Sequence, residues 1–331
     1  MTELRPLQAE EILEGEPLIA TDELGPPGDR HGLTSKPLSP SRLAWRRFRR
    51  HRLAMASAVV LVVLAIFIMF PTLLTDWGPN EQTGLRLDGP SGAHPFGTDT
   101  IQRDMLTRVL HGGQISLKVG IAVGLVAGLI GTVIGAVAGF KGKLIDNLLM
   151  RVTDLFLAVP LIVVLILFTR LPSRHEWAQT LMGSTGSIRS IVTILSFFFW
   201  MPMARIVRGV VLSLKEKEFV EAARAVGASD FRIMFRHLIP NCTGPIVVNV
   251  TLSVAAAILT ESALSFLGYG VQSATTPTWG NLLSNVKAFT RTAPHLVWFP
   301  GLAILITVLC VNYLGDGLRD ALDPQQRRHR S

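Results

Sequence analysis

VGIAVGLVAGLIGTVIGAVAGF, Val119 to Phe140, decides the fold class of this chain. It contains no charged residue, and a helix needs about 20 apolar residues to cross the hydrocarbon core of a bilayer. Its glycines are periodic. Gly120, Gly124, Gly128, Gly131, Gly135 and Gly139 are spaced by 4, 4, 3, 4 and 4 residues, which at 3.6 residues per turn sets them in one stripe. Each glycine costs up to about 1 kcal/mol of helix propensity relative to alanine. Six of them are tolerable only if close helix contact offsets the loss, and small residues at this spacing permit that contact in lipid. The stripe is read either as a sliding interface with another helix, of this chain or of a partner subunit, or as static packing.

The rest of the chain fits the same solvent. Of 331 residues, 49% are hydrophobic and only 17% charged, and the mean hydropathy is +0.40. Soluble domains carry about a quarter charged residues. Apolar runs at Leu53–Thr75, Leu155–Thr169, Ser190–Ala204, Leu238–Thr260 and Leu296–Gly315 bring the count of spans to six. Leu155–Thr169 reaches spanning length only if Arg151 and Asp154 belong to its end, where they stand at i,i+3 and can pair. Ser190–Ala204 is also short, with Arg189 and Arg205 snorkelling at its two ends. The expected fold class is an all-α polytopic membrane protein with six transmembrane helices.

Six spans put both termini on one side. With the N-terminus inside, 23 of the 32 Lys and Arg fall on cytoplasmic segments, as the positive-inside rule requires. Residues 1–40, with Glu10, Glu11, Glu14, Glu16, Asp22 and Glu23, read as a disordered acidic cytoplasmic tail. Residues 41–52 form a basic interfacial segment in which Trp45 and Phe48 fall at i,i+3 among arginines, suited to anionic lipid. Then follow the first transmembrane helix at 53–75, an extracytoplasmic segment at 76–114, a five-helix core at 115–317 and a cytoplasmic C-terminal tail at 318–331. The first apolar run begins only after 52 residues, so no cleaved signal peptide is expected.

Several function classes are excluded. The net charge of +8 sits beside apolar spans and forms no basic domain, so nucleic acid is not a partner. Cys242 and Cys310 have no CxxC spacing, and the histidines form no HxxxH or HExxH, so neither a metal site nor a catalytic residue is expected.

On the outer side, Thr98 or Asp99 is expected to cap an interfacial helix with Ile101, Met105, Leu106, Val109 and Leu110 on its apolar face, ended by Gly112 and Gly113. The loop Gly268–Pro300, with Trp279, Trp298 and Phe299, is long enough to meet an external partner. In the fifth span, Asn249, Ser253, Glu261 and Ser262 are the candidate translocation-pathway residues. An intramembrane carboxylate is a functional candidate by default. The competing reading of Glu261 is a structural hydrogen bond that holds a bend.

The longest internal loop, 209–243, contains KEFVEAARAVGASDFRIMFRHLIPN, Lys217 to Asn241. Phe219, Val220, Ala223 and Val226 fall on one helical face. Lys217 and Glu221 are i,i+4 partners, and Glu221 and Arg224 are i,i+3 partners. Gly227 stands where a C′ glycine would, Ser229 or Asp230 can cap the next helix, and Pro240 breaks it. The loop therefore reads as helix, glycine turn, helix.

Glu221-Ala222-Ala223, three residues, then Gly227, with Pro240 beyond, resembles the EAA loop of ABC importer permeases. The end departs from the general pattern, with His237 where isoleucine is usual and Ile239 where leucine is usual. RHLIPN, Arg236 to Asn241, is instead similar to the dipeptide and oligopeptide branch. HPFGTD at His94–Asp99, ESALSFLG at Glu261–Gly268 and GDGLRDALDP at Gly315–Pro324 resemble the same branch. Gln102 departs from its usual glycine, while Arg103 and Asp104 remain. The resemblance runs from about Trp45 to Pro324 and is closest to the second, C-type permease.

That resemblance implies the type I ABC importer permease fold, in the bacterial cytoplasmic membrane. The implied partners are a homologous second permease chain, two cytoplasmic ABC ATPase subunits or one fused, and an extracytoplasmic solute-binding protein. It also implies that Glu218, Glu221, Ala222, Ala223, Arg224, Gly227, Ala228 and Asp230 seat the ATPase subunit. No cofactor is expected in this chain. It has no GxxxxGK[ST], so ATP and Mg²⁺ would be bound by the partner subunits. The implied cargo is a di- or oligopeptide, with nickel, glutathione or haem as alternatives on the same fold. A secondary transporter or channel is the competing class. It would call for several charges near mid-membrane, and Glu261 stands there essentially alone.

Overall fold

His51 starts the first long helix, its ring Nδ1 accepting from the Ala54 backbone N–H at 3.1 Å. Asp104 does the same for the longest helix, its carboxylate accepting from the Thr107 N–H at 2.8 Å. Such caps satisfy backbone donors that have no partner in the helix. The computed structural model describes residues 40–272, 275–284 and 286–322. The acidic tail and residues 323–331, including Asp323 and Pro324, lie outside the described residues.

The described helices are α1 (Pro40–Phe48), α2 (Arg52–Met69), α3 (Met105–Lys141), α4 (Lys143–Leu157), α5 (Leu161–Thr169), α6 (Leu171–Arg174), α7 (Glu176–Met182), α8 (Ile188–Leu214), α9 (Glu218–Ala225), α10 (Asp230–Ile233), α11 (Ile239–Asn241), α12 (Thr243–Phe266), α13 (Trp279–Ser284) and α14 (His295–Leu322). Five of them, α2, α3, α8, α12 and α14, are long and apolar enough to cross a membrane. The bent pair formed by α4 with Leu161–Arg174 makes a sixth span if counted as one.

Helix α3 is the central post. It packs along α8 and α12, and α14 packs in turn on α12 and α2. The glycine stripe divides its contacts between two helices of this same chain. A Cβ on Gly120, Gly124 or Gly128 would stand 2.5–2.6 Å from Ile258, Val254 or Val250 of α12. A Cβ on Gly131 would meet the Trp200 carbonyl at 2.7 Å, and one on Gly139 the Arg208 carbonyl at 2.9 Å. At Gly135 it would meet the Ala204 carbonyl and Cα. Steps of four rotate the stripe forward by about 40° each, and the single step of three turns it back by about 60°. The stripe thus stays on one side of α3 while its neighbour changes from α12 to α8.

Four expectations need correction. The outer helix does not begin at Thr98 or Asp99 and does not end at Gly112 and Gly113. Asp104 is the cap, Ile101 is an exposed turn residue, and α3 continues unbroken through both glycines. They are accommodated because a side chain there would strike Thr278, Trp279 or Ile68, so close packing replaces the lost propensity. The third span is not a straight Leu155–Thr169 helix. It bends by 86° between α4 and α5, at Pro160, which has no N–H to continue the ladder. Asp154 pairs with Arg205 of α8 rather than Arg151, and Asp146 of α4 pairs with Arg208. Accordingly α8 does not stop at Ala204 but carries both arginines on to Leu214. The fifth span starts at Thr243, not Leu238, because a π turn at Met234–Leu238 and then α11 absorb the chain around Pro240.

At the end of the bundle that carries the hairpin, Phe48, Ala54 and Ala321 form a small apolar cluster. There Gly317 receives Ala54 and the Phe48 ring, and His51 Nε2 lies 3.7 Å from Asp320. Trp45 stacks on Phe48 with ring centroids 6.0 Å apart while staying exposed. Both cysteines are free and buried, and burial pushes the Cys242 thiol up to about 11, so it is protonated at neutral pH.

Candidate coupling hairpin and intramembrane polar site

The hairpin is built as its sequence dictates. Helix α9 ends where the Val226 N–H reaches Ala222, the Gly227 N–H reaches Arg224 at 2.9 Å and the Ala228 N–H reaches Ala223 at 3.0 Å. Gly227 has φ +77, a left-handed conformation that costs an L side chain about 1–2 kcal/mol. Ser229 then caps α10, its Oγ accepting from Arg232 at 3.4 Å.

One side of the hairpin is anchored. Val220, Ala223, Ile233 and Leu238 join Ala136 and Phe140 of α3 and Met203, Val207 and Val211 of α8 in one core cluster. Lys141 bridges Asp230 at 2.8 Å, and the Arg224 guanidinium lies 5.8 Å from the centre of the Phe140 ring. The hairpin is thereby fastened to the last turns of the two helices that share the glycine stripe. The Cys242 side chain closes the same cluster.

The other side is open. Glu218, Glu221, Ala222, Arg224, Gly227 and Asp230 are exposed, while Ala228 is half-buried. Ala223 departs from expectation: it faces α3, so only Ala222 of the pair remains accessible. The predicted apolar face of α9 also divides. Val220 and Ala223 point inward, whereas Phe219 and Val226 point out. Val226 is 85% exposed and Phe231 67%, and Phe231 lies 4.4 Å from Phe235, ring centre to ring centre. Sequence reasoning missed this apolar rim. Its signal was the i,i+4 pair Phe231 and Phe235 beside a solvent-facing turn. No ion pair joins Glu221 to Lys217 or Arg224 among the described residues; Arg224 is turned toward Phe140 instead.

At the opposite end, Glu261 is fully buried in α12. Its carboxylate accepts from Ser265 Oγ at 2.7 Å and from Ser116 Oγ of α3 at 3.4 Å, and Thr278 hydrogen bonds to it as well. Ser116 Oγ in turn accepts from the Trp279 backbone at 3.2 Å, and the Trp279 indole donates to the Val109 carbonyl at 2.9 Å. Glu261 therefore ties α12, α3 and the loop before α13 together. This is the geometry of a structural clasp. Ser262 does not join it and has a buried hydroxyl without a partner. Asn249 bonds back to Pro245 at 2.8 Å on its own helix, and Ser253 is half-buried one turn on. Glu261→Ala strips one acceptor from three hydroxyls and is expected to cost about 1–3 kcal/mol. Glu261→Gln, which keeps a carbonyl acceptor, is expected to restore most of the thermal stability of the purified chain. Equal losses in the two variants would exclude the clasp.

The HPFGTD segment is a second structural knot. His94 Nδ1 meets Asp104 at 2.9 Å, Phe96 stacks on Phe299 at 3.9 Å, and His295 Nε2 approaches the Thr98 carbonyl at 3.3 Å. It locks the segment before α3 onto the start of α14. Among the described residues, no group of histidine, cysteine or acidic side chains is arranged to hold a metal ion.

The described residues thus form a bundle of five or six candidate membrane spans with a two-sided hairpin at one end, anchored by apolar side chains within and presenting mixed charge and an apolar rim without. Residues 131–328 match the family described as binding-protein-dependent transport system inner membrane component. The chain belongs to that family. Residues 39–90 match the N-terminal TM domain of oligopeptide transport permease C. Among its relatives, the dipeptide transport system permease protein DppC of Alkalihalophilus pseudofirmus is 37% identical over 94% of this chain and 97% of its own. The oligopeptide transport system permease protein OppC of Escherichia coli K12 is 43% identical over 86% of this chain and 91% of its own. The glutathione transport system permease protein GsiD of Escherichia coli O6:K15:H31 is 39% identical over 85% and 89%.

Proposed function

We propose that this chain forms half of the translocation pathway of an ATP-driven importer for di- and oligopeptides. A homologous second permease chain completes the pathway as a heterodimer. Two cytoplasmic ABC ATPase subunits, or one fused, bind ATP and Mg²⁺ and seat on the hairpin. A solute-binding protein delivers cargo to the opposite face, and both termini are cytoplasmic in the bacterial membrane. The observation that carries this reading is the two-sided hairpin. Its inner side is fastened to α3 and α8, and its outer side presents Glu221, Ala222 and an apolar rim. A partner that moves this element would move the two spans that share the glycine stripe, which is the rigid-body coupling that alternating access needs. Asn249 and Ser253, half-buried on α12, are the pathway residues retained in this reading.

The cargo assignment follows the relatives, whose names refer to dipeptide, oligopeptide and glutathione transport. The test is uptake of a labelled dipeptide by the reconstituted complex. Uptake is expected only with ATP and binding protein together. Accumulation driven by an ion gradient alone would exclude the reading in favour of a secondary transporter.

A further inference from the structure

At the end of the bundle opposite the hairpin lies an open cavity of about 600 Å³. We propose that it is a docking site on the permease itself for the carboxylate end of a short peptide. The inference rests on the function proposed above and deepens it by naming a site and the group recognised.

The central feature is Arg108. It lies one turn into α3, its side chain is only 5% exposed, and it lines the cavity. A buried guanidinium normally has its N–H groups satisfied. Here Nη1 donates to the Pro79 carbonyl at 3.3 Å, but the buried Nε has no hydrogen-bond partner. The nearest carboxylate, Asp99, is 3.7 Å from that Nε and is already engaged. Its Oδ1 accepts from the backbone N–H groups of Ile101 and Arg103, each at 2.9 Å, and its Oδ2 accepts from Arg103 Nε at 2.8 Å. Arg108 lines the open cavity together with Arg103 and a single carboxylate, Asp99, so the lining carries a net positive charge that favours an anionic group from outside the chain.

The remaining wall fits the rest of a peptide. Met105, Leu282 and Val286 supply apolar surface, and Gln272 stands exposed at the rim. The volume lies within the range of about 300–1,000 Å³ typical of small-molecule sites. The Glu261 clasp borders the cavity through Ser265, so occupancy would be felt directly by the contact between α12 and α3.

Photo-crosslinking tests the site on the complete complex in nanodiscs, without ATP and without binding protein. The probe is a dipeptide carrying a diazirine side chain and a free carboxylate. Label is expected on segments 99–108, 268–272 and 281–284. An excess of unlabelled dipeptide should remove it, and the same dipeptide as its C-terminal amide should not. Arg108→Gln is expected to lower labelling at least 10-fold, with Arg108→Lys in between. Gln272→Trp, an exposed change at the mouth, should block labelling while leaving assembly intact, which guards against misfolding of the Arg108 variants. Labelling elsewhere only, no labelling, competition by the amide as strong as by the acid, or labelling unchanged in Gln272→Trp would overturn the site. ATP-driven uptake by the wild-type complex is scored separately. Intact uptake without cavity labelling refutes the site alone, and absent uptake of any peptide refutes the function on which it rests.

Discussion

Gly135→Leu is expected to abolish recovery of a folded chain. A Cβ at this position would meet the Ala204 carbonyl and would lie 3.0 Å from both the Ala204 Cα and the Val207 Cβ. The obstacle is backbone, which has no rotamer by which to yield. Overpacking a close-packed core typically costs about 1–3 kcal/mol, and backbone contact puts this case at or above the upper end. Nor can α3 and α8 simply move apart. Arg205 and Arg208 hold α8 to α4, and the hairpin cluster closes over the same two helices. Gly301→Leu is the control. Among the described residues, nothing beyond its own chain neighbours and helix backbone lies within 4 Å of a Cβ there, and leucine raises helix propensity. The measurement is the monodisperse yield of the purified chain and its thermal unfolding. Wild-type yield for Gly135→Leu would mean that the stripe is not the packing interface described here.

The hairpin variants should separate folding from coupling. Glu221→Lys is expected to leave membrane insertion and complex yield unchanged and to lower ATP-coupled uptake at least 10-fold. Glu221 is exposed and makes no ion pair within the chain among the described residues, so the change removes no internal contact. Reversing a charge in a complementary interface costs several kcal/mol. Gly227→Val acts differently. Space is open around Gly227, but φ is +77, and a β-branched side chain is strongly disfavoured there. The tip must rearrange, carrying Val226 and Ala228 with it. Stimulation of the ATPase by loaded binding protein is the readout. Full stimulation in both variants would place the ATPase contact elsewhere on the chain.

What could be read in the sequence depended on the range of the interactions involved. The glycine stripe was legible because helical periodicity is local. The helix–Gly–helix form of Lys217–Asn241 was legible because caps and C′ glycines act within a turn. The acid–base partners were not. Asp154 was matched with Arg151 because they stand at i,i+3, yet it pairs with Arg205, 51 positions away. The bend at Pro160 brings α4 against α8, and no sequence period encodes that crossing. The α9 face failed for a related reason. Its apolar positions were correctly placed on one helical side, but the hairpin rests on its bundle by only part of that side, which leaves Val226 and Phe219 outside.

The sequence by itself determined the solvent, the helical class, the small-residue face of α3 and the motif that places this chain among binding-protein-dependent permeases. All of these follow from composition, from periods of a few residues, or from short ordered motifs. The tertiary structure alone decided which helices receive the glycines, that Glu261 is a clasp between α12, α3 and the loop before α13, that Ala223 faces inward, and that Arg108 borders a cavity at the end opposite the hairpin with one N–H unsatisfied. Each of these depends on groups far apart in the chain, and only the folded backbone fixes their distance.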